Sequence, residues 1–206
     1  MDVFTNRLLA SNSAAHLIFE SISAQLQKQE RASVMVSGGS TPAVCFEALS
    51  KTDLPWSQID ITTTDEREVP PTHPDSNEKM VREKLMISMA ASANFIRLEG
   101  DMIRALHPFS CTLVGMGEDG HFASLFPDSP QLEEGLHSTA EVIKVSTPSS
   151  PYERFSATLN TLCASELIIV LAFGDKKRKL LETPEGYPIA HLLKQQNVPV
   201  KIFWAP

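Results

Sequence analysis

The chain has 206 residues, 42% hydrophobic and 21% charged, which is apolar side chain enough for one sizeable core or at most two small ones. A net charge of −7, with no basic run longer than "DKKRK" at Asp175–Lys179, argues against a nucleic-acid partner, whose phosphates need a broad cationic surface. No run approaches the roughly 20 apolar residues that span a bilayer, and "MDVFTNRLLASNSAAHLIFE" lacks the basic start and apolar core of a signal peptide.

In chain order, Ala14, Ala15, Ile18, Ile22 and Leu26 recur at helical spacing and predict a helix over Ser11–Gln29. "SVMV" (Ser33–Val36) reads as a buried strand, followed by "SGGSTP" and a helix over "AVCFEALS", with Pro42 suited to its first turn. "IDITTT" (Ile59–Thr64) is a second strand ending in the charged "DER". Ser76–Met89 is an amphipathic helix capped by Asp75 or Ser76. Strands are expected over Asn94–Leu98, Cys111–Met116, Glu141–Val145, Glu166–Phe173 and Val198–Trp204, with a helix over Lys176–Glu182. Without a linker, repeat or low-complexity tract, residues 1–206 read as one α/β domain. Its sheet should be mainly parallel, Rossmann-like and flanked by helices. Cys45, Cys111 and Cys163 are odd in number and set in apolar surroundings, as expected of reduced thiols in a cytoplasmic protein.

Ligands of parallel sheets bind beyond the carboxyl ends of the strands. Four polar clusters follow apolar strands here: "SGGST", "DER", "GMGEDGH" and "GDKK". They should converge on one edge. In the first, Gly38 and Gly39 permit close approach of an anion to free N–H groups, and Ser37, Ser40 and Thr41 add hydroxyls. A tight turn with a helix cap would use the same residues. Neither a Walker A loop nor a GxGxxG fingerprint is present. In the second, Arg67 offers a planar cation for phosphate or carboxylate, with Asp65 or Glu66 placed to hold it or to bind sugar hydroxyls. A plain surface salt-bridge cluster is the alternative.

In "GDKK", Lys176 and Lys177 stand at the positive end of a helix, which asks for compensation such as a bound anion. Arg154 is a further anion contact. The "GMGEDGHFASLFPDSP" stretch (Gly115–Pro130) turns sharply at Gly115 and Gly117, and Gly120 relieves crowding before His121. Histidine is the common side chain suited to act as a base near neutral pH, and Glu118 or Asp119 could orient it. His16, His73, His107, His137 and His191 are dispersed and read as surface or packing residues. No metal-ligand spacing or G-x-S-x-G elbow accompanies His121, so neither a metal site nor a serine nucleophile is expected.

Together, "SGGSTP", "TDEREVP" with "SNEKMVREKL", "GMGEDGHFASLFPDSP" and "GDKKRKLL" resemble, in that order, the 6-phosphogluconolactonase family. The resemblance implies the α/β fold shared with glucosamine-6-phosphate isomerase/deaminase. It implies hydrolysis of 6-phospho-D-glucono-1,5-lactone in the oxidative pentose phosphate pathway, without metal or organic cofactor. On this chain it implies His121 and Asp65 as catalytic residues. Substrate contacts would come from Ser37, Gly38, Gly39, Ser40, Thr41, Arg67, Gly117, Lys177 and Arg154. The partner would be a small sugar-phosphate lactone, with the protein a monomer or homodimer. The rivals are a deaminase/isomerase, which shares the glycine-histidine turn but not "FASLFP", and a non-catalytic sugar-phosphate sensor.

Overall fold

The computed structural model describes residues 1–206. The chain enters through a two-residue strand, β1 (Asp2–Val3), and a long helix, α1 (Arg7–Leu26). The Asn6 side chain accepts from the Leu9 N–H, so α1 begins at Arg7 rather than at Ser11. Next come β2 (Ala32–Val36), α2 (Ala43–Leu49), β3 (Ile59–Thr63) and a short strand, β4 (Asp65–Arg67). They are followed by α3 (Asn77–Lys84), β5 (Asn94–Phe95), α4 (Gly100–Arg104) and β6 (Cys111–Val114). Beyond the His121 turn lie α5 (Leu132–His137), β7 (Val142–Val145), β8 (Arg154–Ala157) and α6 (Leu159–Cys163). The chain ends with β9 (Ile168–Phe173), α7 (Asp175–Glu182), α8 (Ile189–Lys194) and β10 (Val200–Ala205).

Seven strands form an all-parallel sheet in the order β1-β10-β9-β6-β2-β3-β5. Both of its faces are covered. Val34, Val36, Ile169 and Leu171 join one apolar cluster with Ile18, Ile22 and Phe46. The alternate residues Met35, Val114, Ile168 and Val170 join a second, with Phe109, Phe122 and Leu192. Successive side chains of a strand point to opposite faces, so burial on both sides demands the unbroken apolar runs seen in the sequence. From β2 the chain moves to β3 and β5 on one side, then returns to β6 and β9 on the other. The crevice between β2 and β6 is therefore the topological switch point, where ligands of such sheets bind.

Two expectations need correction. "DER" is not the end of the second strand. Thr64 still donates its N–H to the Val36 carbonyl (3.0 Å), but Asp65–Arg67 then leaves the parallel sheet. It pairs antiparallel with β8, and β8 with β7, in a separate three-stranded sheet. The strand near Glu141–Val145 thus exists as β7 but lies outside the main sheet. The expected helix over Ser76–Met89, capped by Ser76 as anticipated, stops at Lys84, and Ser88–Ser92 forms a separate 3₁₀ turn. Helices α4, α5, α6 and α8, of five or six residues, are too short to display a helical period.

The cysteines form no disulfide, and burial pushes the Cys111 thiol up to about 12. Phe46, on α2, is wholly buried against the sheet. Phe46→Ala should lower the unfolding free energy by about 3–5 kcal/mol, read from urea denaturation.

Candidate active site

A cleft of about 410 Å³ opens at the switch point. Its walls are the Ser37–Thr41 loop after β2, the Gly115–Gly117 turn after β6 with His121, and Asp65, Arg67 and Arg154 from the small sheet. The two loops are tied together where they leave the sheet, the Ser37 N–H donating to the Leu113 carbonyl (2.9 Å).

The histidine turn is built from inside outward. Phe122 and Leu125 are wholly buried, and they anchor the segment in the core beneath the sheet edge. The Gly117 N–H donates to the His121 carbonyl (2.9 Å), closing the turn. A Cβ at Gly117 would overlap both the His121 ring and the Asp119 carboxylate, so this position needs glycine for close approach. Asp119 Oδ1 lies 2.6 Å from His121 Nδ1 and also accepts from the His121 N–H (3.2 Å). Burial raises the Asp119 pKa, but the bonds and charge of His121 outweigh it and hold this carboxyl below its usual range. An ionised Asp119 accepts a hydrogen bond from Nδ1–H, which leaves the Nε2 lone pair for chemistry. Glu118, the other candidate for orienting the ring, pairs instead with Lys176 (3.0 Å).

On the opposite wall, strand register places Arg67 directly across from Arg154. Like charges so opposed are unfavourable unless compensated. Asp65 supplies part of the compensation: its Oδ2 is 3.3 Å from Arg154 Nη1 and accepts from Ser124 Oγ (2.7 Å). Burial lowers the Arg154 pKa; Asp65 opposes that shift and Arg67 adds to it. The sequence left Asp65 or Glu66 to hold Arg67, and neither does. The Arg67 guanidinium donates to the Asp75 carbonyl (2.6 Å) and to Asn77 Oδ1 (2.8 Å). Glu66 instead caps α3, accepting from the Asn77 and Glu78 N–H groups (2.8 and 2.7 Å).

Asn77 was not singled out from the sequence, although it stands inside "SNEK". Besides receiving Arg67, it donates Nδ2 to the Asp65 carbonyl (2.7 Å). Its amide occupies the space that a Cβ at Gly38 would fill. Phe126, also missed, lines the cleft beside His121. Two buried polar atoms here, Ser37 Oγ and Arg67 Nε, have no hydrogen-bond partner within the protein.

Of the residues expected at the site, Ser37, Gly38, Gly39, Ser40, Thr41, Asp65, Arg67, Gly117, His121 and Arg154 line this one cleft. Lys177 does not. It sits in the first turn of α7, half-buried, where desolvation lowers its pKa, and it makes no ion pair. The adjacent Lys176 pairs with Glu118 across from α7.

Residues 6–204 match the model of the family described as glucosamine-6-phosphate isomerases/6-phosphogluconolactonase. The chain is 33% identical to a 6-phosphogluconolactonase of Caulobacter vibrioides over 224 aligned positions, covering 100% of this chain and 97% of that relative. It is likewise 33% identical to one of Neisseria meningitidis serogroup B, covering 98% and 97%. The crystal structure of a 6-phosphogluconolactonase from Shewanella baltica superposes with a TM-score of 0.94 at 29% identity, covering 100% of this chain and 97% of that one. A monomeric glucosamine-6-phosphate deaminase, at TM-score 0.75 and 19% identity, shares the fold. With an α/β fold, a cleft at its switch point and a match over nearly its whole length, the chain belongs to the glucosamine-6-phosphate isomerase/6-phosphogluconolactonase family.

Proposed function

We propose that this chain hydrolyses 6-phospho-D-glucono-1,5-lactone to 6-phospho-D-gluconate, with His121 as the general base. The observation that carries the reading is the arrangement of one cleft. An Asp119-oriented imidazole and two arginines paired in register on neighbouring strands line it together. The relatives' activity supports the choice of lactone.

A lactone is a cyclic ester. Its hydrolysis adds water to C1 and breaks the bond from C1 to the ring oxygen. Water is a poor nucleophile, so Nε2 of neutral His121 takes its proton as the oxygen attacks C1. The carbonyl oxygen becomes an oxyanion, which backbone N–H groups of the glycine turns receive. Collapse of this intermediate expels the ring oxygen, and the imidazolium returns its proton there. Asp119 stabilises the imidazolium between the two transfers.

The 6-phosphate lies at the far end of the substrate, where the Arg67 guanidinium and the Ser37–Thr41 loop, which line the cleft, receive it. Arg154 completes the cationic wall, and Lys177 adds a longer-range cation from α7 without lining the cleft. Binding so far from the bond that breaks orients C1 against the base. Asp65 serves as a positioning residue. Its carboxylate is buried and already engaged by Ser124, Arg154 and Thr64.

His121→Asn should lower kcat by about 100-fold or more, the usual scale of general-base catalysis. The measurement is hydrolysis of freshly generated lactone with the spontaneous rate subtracted; near-normal turnover in a folded variant would remove the base assignment. Arg67→Ala should raise KM by about 10- to 100-fold while kcat changes less, because a charge-assisted contact to the phosphate is lost. Asp119→Asn should keep KM near the wild-type value and lower kcat, since an amide no longer selects the Nδ1–H tautomer. Equal kcat in that variant would show that Asp119 does not orient the base.

A further inference from the structure

The ring of Phe126 lies against two polar side chains of the cleft at once. Its centroid lies 4.1 Å from that of the His121 ring, with the planes 32° apart. The Arg154 guanidinium carbon lies 5.2 Å from the same centroid. Phe126 is 5% exposed, and that remnant lines the cleft. The chemistry set out above uses His121 and Arg154 and gives Phe126 no part.

A hydrogen bond at one atom orients a ring incompletely. Rotation about the Nδ1···Oδ1 axis keeps the 2.6 Å contact to Asp119 while swinging Nε2 away from a fixed point. A flat neighbour against the imidazole removes that freedom, because tilting the imidazole would drive it into the phenyl ring. The same ring constrains Arg154. An aromatic face attracts a guanidinium, and the contact adds a second point of support to the Asp65 ion pair. Phe126 is held in turn by the chain around it: Leu125, its neighbour, is wholly buried in the core, and the Phe126 carbonyl accepts from the Ser129 N–H (3.2 Å).

We infer that Phe126 is a positioning residue, fixing the plane of the His121 imidazole and the place of the Arg154 guanidinium with one ring. Base and cation then keep a constant spacing around the substrate through both proton transfers. This inference rests on the lactonase reading above.

The test compares Phe126→Leu, which keeps apolar bulk but removes the flat face, with Phe126→Tyr, which keeps the face. Wild type and His121→Asn are assayed alongside for kcat and KM on the lactone, with thermal unfolding of every variant. F126L should lose about tenfold or more in kcat, the order lost when a catalytic group is misplaced, with a smaller change in KM. F126Y should stay within about twofold of the wild-type kcat, since its ring presents the same face. A packing role alone would lower the unfolding temperature and leave kcat of the folded protein unchanged. Folded F126L with wild-type kcat, or F126Y impaired as badly as F126L, overturns the inference. Should F126L not fold, Phe126→Met makes the same comparison. A wild type that does not hydrolyse the lactone removes the functional reading and this inference with it. Wild-type turnover beside an unaffected F126L removes the inference alone.

Discussion

The parallel sheet is covered on both faces, so Val34 and Val36 meet one core while Met35 between them meets the other. A strand in that position has no face to spare for polar chemistry, because each unpaired polar group placed there would carry a desolvation cost. Only the strand ends remain. The loops leaving β2 and β6 emerge side by side at the switch point, and each is free to carry glycine, hydroxyl and imidazole groups. The location of the cleft follows from that burial, and so does the use of Phe122 and Leu125 as anchors beneath the histidine turn.

The small antiparallel sheet answers a different problem. A chain of net charge −7 concentrates two guanidinium groups on neighbouring strands, in direct register. Within the protein the carboxylate paired with them is that of Asp65, bound to Arg154, while Arg67 rests on a carbonyl and an amide oxygen. The neutral partners orient Arg67 without neutralising it. Its charge is thereby left available to an anionic ligand. Desolvation of Arg154 acts in the same direction, since a cation already stripped of water gains more from meeting a phosphate.

Asn77 connects these two halves. Its side chain meets Arg67 and the Asp65 carbonyl, and the absence of a Cβ at Gly38 makes room for it. Glu66 fixes Asn77 from the other direction by accepting at the start of α3. A helix cap, a strand turn and the Arg67 guanidinium are thus parts of one hydrogen-bonded unit, and small changes at α3 would be felt at that guanidinium.

Much of this was legible in the sequence. The runs at Ser33–Val36 and Cys111–Met116 read as strands and that at Glu166–Phe173 as one covered on both faces, and the glycines after them marked where the chain leaves the sheet. Glu118 and Asp119 both stand beside the glycine-hinged His121, so the sequence could offer either to orient the ring, and the structure selects Asp119. The contacts of Arg67, Asp65 and Glu66 were not legible. Asp65 meets Arg154 because β4 pairs with β8 nearly ninety positions later, while Arg67 and Glu66 find partners at the start of α3 that a three-residue strand, with no pattern of its own, does not announce. For the same reason the sequence could not separate Lys177 from the residues that line the cleft, or place the Phe126 ring against His121 and Arg154. By itself the sequence determined the covered parallel strands and the turn chemistry at their ends, since both follow from local pattern and backbone freedom. Only the tertiary structure decided which carboxylate serves which cation, because that choice is made between strands the chain brings together from far apart.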